Sequence, residues 1–241
     1  MADKLYVFGD SFSSPHVCVN PEHSFWGLAA KDLGVDAIYN FSFSGNCFDN
    51  IVHLILNDKF DFDNGYFLIG IPPLHRYSIF SQITPTKNKP LAKFNQKFEQ
   101  EVIYSTNMIN VGAATFTEAF TNDKLYVSYF HAEWNDVINL EKIYLLSNWL
   151  KTKNAKFIIA NLSQPIPYQE NWPAGCEIMK KVKADITCIV FADTYQSLNL
   201  ADKIKPADYD AYEWYGHHGS EGNHNWYNKI IQPKMQQLKW I

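Results

Sequence analysis

Leu5-Tyr6-Val7-Phe8, running into Gly9-Asp10-Ser11-Phe12-Ser13, is the stretch that decides the fold. Four apolar residues ending in a Gly-Asp-Ser turn read as a buried strand that stops abruptly. Helical spacing follows at Phe25, Trp26, Leu28, Ala29 and Leu33, with Gly34 as the stop signal. A second strand is expected over 37–41, then a helix over 48–57 that turns Ile51, Val52, Leu54 and Ile55 inward. A third strand, Tyr66-Phe67-Leu68-Ile69, is ended by Gly70 and the pair Pro72-Pro73. Short apolar strands alternating with amphipathic helices imply βαβ units, hence an α/β fold on a parallel sheet.

Farther along, a helix is expected over 136–153, with a fourth strand at 156–160 and a fifth at 186–191. A Pro-rich loop over 162–175 and a short helix starting near Cys176 lie between those strands. The last helix is expected over about 226–238. The stretch 71–133 is less regular, with Pro85, Pro90 and a helix expected near 91–103. It reads as an insertion covering one end of the sheet, within a single domain spanning 1–241.

The chain of 241 residues is 46% hydrophobic, enough to bury a sizeable core. Charged residues make up 19%, and the formal net charge is −4 without basic runs. That balance argues against nucleic acid or an anionic membrane as partner. Of 21 basic residues only Arg76 is arginine. Cys18, Cys47, Cys176 and Cys188 form no C-x-x-C pair and read as reduced thiols. The N-terminus has no signal-peptide pattern, and no run approaches the length of a membrane span. The expectation is a soluble protein, cytoplasmic on synthesis.

Ser11 falls just beyond a strand's carboxyl end, where parallel α/β sheets place ligands. Two readings of Gly9-Asp10-Ser11 stand side by side: a nucleophile turn, or an Asx turn in which Asp and Ser merely cap backbone. A serine nucleophile needs a base. Three of the eight histidines, His217, His218 and His224, cluster in Tyr215-Gly-His-His-Gly-Ser-Glu-Gly-Asn-His-Asn-Trp-Tyr227, ahead of the last helix. These side chains would either serve a nucleophile or simply cap and solvate a polar loop. A metal site from His218, His224 and Glu221 or Asp210 lacks the two-His helical spacing such sites use.

The order of these features, from Leu5 to about Lys234, resembles the SGNH/GDSL hydrolase family. The resemblance implies a flavodoxin-like, three-layer α/β/α fold with about five parallel strands and helices on both faces. It makes Ser11 the nucleophile, and the N–H groups of Ser11 and Gly45 oxyanion donors. The third motif of the family, Gly-x-Asn-Asp, reads here Gly70-Ile71-Pro72-Pro73, so Pro72 stands where the donor Asn belongs. Proline offers no donor, and the loss of one oxyanion donor costs about 3 kcal/mol. Asn46 and Arg76 are the candidate replacements.

The motif Asp-x-x-His-Pro is altered as well. Placing its His on His218 puts Tyr215 at the Asp position, and placing it on His217 puts Trp214 there. Glu213, Asp210 or Asp208 would have to reach round, or a backbone carbonyl would hold the ring. The resemblance implies a metal-independent serine esterase with no organic cofactor, acting on a small-molecule or carbohydrate ester such as an O-acetyl group. Trp172, Trp214 and Tyr215 would line its mouth. The alternative, motivated by the two departures, is a hydrolase-like fold kept as a glycan-binding or structural module. A nucleotide-binding kinase lacks both glycine-rich phosphate motifs.

Overall fold

The computed structural model describes residues 3–15, 20–43, 46–57, 59–72, 77–78, 92–103, 110–111, 132–162, 173–184, 189–190, 194–204 and 218–241. Strand β1 (Lys4–Phe8) leads into α1 (Phe25–Leu33), β2 (Ala37–Asn40), α2 (Phe48–Asn57) and β3 (Gly65–Ile71). Then come β4 (Tyr77–Ser78), β5 (Ala92–Asn95), β6 (Gln100–Ile103), β7 (Asn110–Val111), α3 (Ala132–Thr152) and β8 (Lys156–Asn161). The chain ends with α4 (Pro173–Ala184), β9 (Ile189–Val190), α5 (Tyr195–Ala201), α6 (Ser220–Trp226) and α7 (Gln232–Gln237).

Five parallel strands run in the order β2-β1-β3-β8-β9, the doubly wound flavodoxin-like arrangement. The direction of winding reverses at β1, which has β2 on one side and β3 on the other. That reversal opens a crevice beyond the carboxyl ends of β1 and β3. Antiparallel β5 and β6 extend the sheet past β2, and β4 pairs with β7 separately.

Alternation along β1 explains the three layers. Tyr6 and Phe8 join a core with Phe41, Phe67 and Ile69 under α2, α3 and α4. Leu5 and Val7 face the opposite core, with Trp26 and Ala29 of α1, Tyr195 of α5, and Trp226 and Met235 near the C-terminus. Every residue of β3 is buried, as expected of a central strand covered on both faces. Full burial stabilises each large apolar side chain by about 1.5–3 kcal/mol. Phe8 stacks on Phe41 at 4.9 Å, and Phe60 meets both rings edge-on.

The boundaries of α1 are those the sequence implies. Ser24 Oγ accepts from the Gly27 N–H at 3.0 Å, and Gly34 closes the helix in the left-handed region at φ +64°. The expected helix near 91–103 is instead the β5–β6 hairpin. Asn95 decides this, because its side-chain oxygen accepts from the N–H groups of Lys97 and Glu99 at 2.9 and 3.1 Å, folding a turn. Phe94 then packs on Trp26 as the partner of Ile38 across the β2–β5 pairing. The described part of 71–133 thus widens the sheet at its β2 edge.

The last helix begins at Ser220, six residues before its expected start. It passes through a π-turn at Tyr227–Ile231, just before Pro233, which cannot donate to the preceding turn. Tyr227 and Gln232 both donate to Asp32, fastening this end of the chain to α1. Among the described residues no helix is long and apolar enough to cross a membrane.

Candidate active site

Beyond β1 the chain turns at Asp10. The Asp10 side chain accepts from the Phe12 N–H at 3.1 Å, an Asx turn, and its carbonyl accepts from the Ser13 N–H at 3.1 Å. A Cβ on Gly9 would lie 2.5 Å from Ser13 Oγ, so only glycine fits there. Ser11 sits on the apex of this turn with 7% of its surface exposed.

Two fully buried amides hold the turn at its ends. Asn46 Nδ2 donates to the Gly9 carbonyl at 2.8 Å, while its oxygen accepts from the Cys47 N–H and from Asn50. Asn40, the last residue of β2, donates to the Ser13 carbonyl at 2.9 Å and accepts from the Ser42 N–H. Each buried polar group satisfies backbone that would otherwise be stranded in the core. Nothing in the amino-acid order singled out Asn40. Its signal is a polar residue ending an otherwise apolar strand.

His218 lies immediately ahead of α6 and is 1% exposed. Its carbonyl accepts from the Tyr195 hydroxyl at 3.0 Å and from Asn223 Nδ2 at 3.1 Å. The same amide reaches the Gly219 carbonyl at 3.0 Å, and Asn223 Oδ1 accepts from the Phe25 N–H at the start of α1. Gly222 lies against the histidine so closely that a Cβ there would sit 2.2 Å from His218 Cβ.

Tyr195 connects the two halves. Its ring packs on Phe12, next to Ser11, at 5.4 Å between centroids, and against His218 edge-on at 5.6 Å. The start of α5 is itself fixed, because Thr194 and Ser197 cap each other through reciprocal N–H to hydroxyl bonds of 2.9 Å. The serine turn and the histidine therefore flank one buried tyrosine. Neither Tyr195 nor Asn223 was marked by any motif. Asn223 carries a faint signal, a polar residue one turn from Gly219 and three before Trp226.

Pro72 directly follows β3 and is buried, so the position of the expected third donor carries no N–H. Gly45, Arg76 and His217 lie outside the described residues, as do Trp172, Asp208, Asp210, Glu213, Trp214 and Tyr215. His224 is on α6 rather than in a loop, with its ring 6.0 Å from that of His23. Among the described residues no three His, Cys, Asp or Glu side chains come together as metal ligands do.

No family model matches the chain, and no curated protein does. Among solved structures, an acetyl xylan esterase from the rumen bacterium Butyrivibrio proteoclasticus aligns over 99% of this chain at a TM-score of 0.51 and 10% identity. The chain shares the fold of that esterase. It spans 65% of the esterase's length. A member of the lipolytic G-D-S-L family from Veillonella parvula aligns over 96% of this chain and 97% of its own, at a TM-score of 0.46 and 9% identity. A mutant acetyl-xylooligosaccharide esterase from Geobacillus stearmophilus covers 96% of this chain and 94% of its own, at 0.47 and 14%.

Proposed function

We propose that this chain is an SGNH/GDSL-type serine esterase that forms an acyl-enzyme on Ser11. The observation that carries the reading is the placement of the Ser11 turn at the topological switch of the sheet, with His218 packed against the same tyrosine as Phe12. His218 takes the Ser11 Oγ proton as Oγ attacks the ester carbonyl carbon. The carbonyl π electrons move to oxygen, where the backbone N–H groups of Ser11 and Gly45 stabilise the charge, supplemented by Arg76. Asn46, the other candidate for that task, is buried and spent on the Gly9 carbonyl. Collapse breaks the bond to the alkoxy oxygen, which leaves as the alcohol with the proton from His218. Water, deprotonated by the same imidazole, then releases the acid and restores Ser11. His217 is the alternative base.

A small acyl group on a carbohydrate alcohol is the substrate class we favour. One solved protein sharing this fold is by name an acetyl xylan esterase. The test is hydrolysis of a nitrophenyl acetate by the wild type and by Ser11→Ala. A loss of at least about 10³-fold in kcat is expected from removing the nucleophile, and equal rates would refute the assignment. Pro72, without a donor of its own, favours a second reading in which the fold binds glycans without turnover. Failure of Ser11 to react with a fluorophosphonate, together with measurable oligosaccharide binding, would select it.

A further inference from the structure

We infer that Tyr195 is a positioning residue of this site, setting the base against the nucleophile where the motif's Asp position holds Tyr215 or Trp214. The inference rests on the esterase reading above. A histidine that swaps a proton with serine must hold both its place and its ring direction, and hydrolases usually assign that task to an acid. The position three residues before His218 is Tyr215, and three before His217 is Trp214, so neither register supplies a carboxylate.

Tyr195 instead acts through the histidine main chain. The Tyr195 hydroxyl on the His218 carbonyl fixes the peptide plane after the histidine, and with it the direction of its Cα–Cβ bond. Asn223 bonds the same carbonyl and also donates to the Tyr195 hydroxyl at 3.2 Å, so the three groups brace one another. The tyrosine ring lies against the imidazole on one side, and Gly222 presses on His218 Cβ and Cγ on the other. Phe12 completes the link by packing the same ring against the serine turn.

The geometry separates two jobs that an aspartate does together. The tyrosine orients the histidine but places no negative charge beside it. Deleting the hydroxyl should therefore slow chemistry without altering substrate binding. The ring of Tyr195 is 1% exposed and also meets Trp226 at 5.6 Å, so Tyr195→Phe, which keeps the ring, is the variant of choice.

The experiment measures kcat and KM on a nitrophenyl acetate, the rate of Ser11 labelling by a fluorophosphonate, and the melting temperature, for wild type, Ser11→Ala and Tyr195→Phe. The expected result is a fall of about five- to tenfold in both kcat and labelling rate, the factor one neutral hydrogen bond is worth, with KM within about twofold. Asn223→Asp, which keeps the acceptor for Phe25 but loses the donor to His218, should show the same split, and it carries the test if Tyr195→Phe does not fold. Unchanged kcat and labelling in a folded variant, with Ser11→Ala inactive, would overturn the inference alone. A raised KM at unchanged kcat would also overturn it, making Tyr195 a substrate contact. Full activity in Ser11→Ala, or a wild type that neither turns over nor labels, would remove the esterase reading and this inference with it.

Discussion

Gly222→Ala adds one methyl group, and the structure says where it would go. The new Cβ would lie 2.2 Å from His218 Cβ, 2.9 Å from Cγ and 3.1 Å from Asn199 Nδ2. Carbon atoms in ordinary contact stand at least about 3.4 Å apart, so something must yield by roughly 1.2 Å. Neither obstacle is the loose end of a long side chain. His218 Cβ is one bond from a backbone that Tyr195 and Asn223 hold by its carbonyl. Displacing a catalytic group by about 1 Å costs on the order of 10²-fold in rate. Stability changes less, because an overpacking cost of about 1–3 kcal/mol is partly offset by the better helix propensity of Ala, about 1 kcal/mol. The expectation is a folded variant whose kcat on a nitrophenyl acetate falls about 100-fold. A kcat within threefold of wild type, with a normal melt, would refute both the rigidity of this contact and the use of His218 as base.

Gly34→Ala is the matching control: nothing lies within 4 Å of the added Cβ, but φ is +64°. It should cost about 1–2 kcal/mol of stability by denaturant melt, with kcat unchanged. Burial first, and the bond to Asp32 second, hold the Tyr227 phenol well above the ordinary tyrosine range. A raised folded-state pKa means that this stability is intact below about pH 10 and is lost above it, as the unfolded chain gives up the proton first. Wild type should therefore lose more stability than Tyr227→Phe between pH 8 and 11. Equal losses in urea titrations would show that another group governs alkaline unfolding.

The central sheet was legible because its signals are local. Leu5 to Phe8 and Tyr66 to Ile69 are apolar on both faces, and the turns after them contain Gly or Pro, so strand and stop coincide. The helices over 25–33 and 48–57 carry clean periodicity. Where the structure departs from expectation, a residue carries a structural task that hydrophobic spacing does not signal. Residues 91, 94, 98 and 102 are spaced as a helix would space them, yet Asn95 folds the chain back and the β2 edge takes Phe94. The start of α6 looked like loop because Ser-Glu-Gly-Asn-His-Asn has no apolar stripe. Gly222 is there for close approach to His218, and Asn223 to bind Phe25, 198 residues earlier. No periodicity encodes either requirement.

Gly9-Asp10-Ser11 forms the Asx turn, and that turn is compatible with the proposed nucleophile. Asp10 does the ordinary work of an Asx turn, accepting from Phe12, and Asn46 and Asn40 clamp the carbonyls of Gly9 and Ser13. Such a turn is stiff because its polar groups are satisfied by side chains that are themselves buried and bonded. Stiffness is what a nucleophile requires, since an attacking oxygen held near its target gains from orientation what it lacks in basicity. On the proposed esterase reading, the capping role of Asp10 is a precondition for chemistry at Ser11 rather than an alternative to it. The site on that reading divides its labour: three amides and a tyrosine fix geometry, while Pro72 leaves the developing charge to backbone N–H groups and Arg76. An esterase built this way would favour substrates with good leaving groups, because their transition states ask least of the oxyanion donors. The ratio of kcat/KM for nitrophenyl acetate over an alkyl acetate should accordingly be large, and it should shrink if Pro72→Asn restores a third donor.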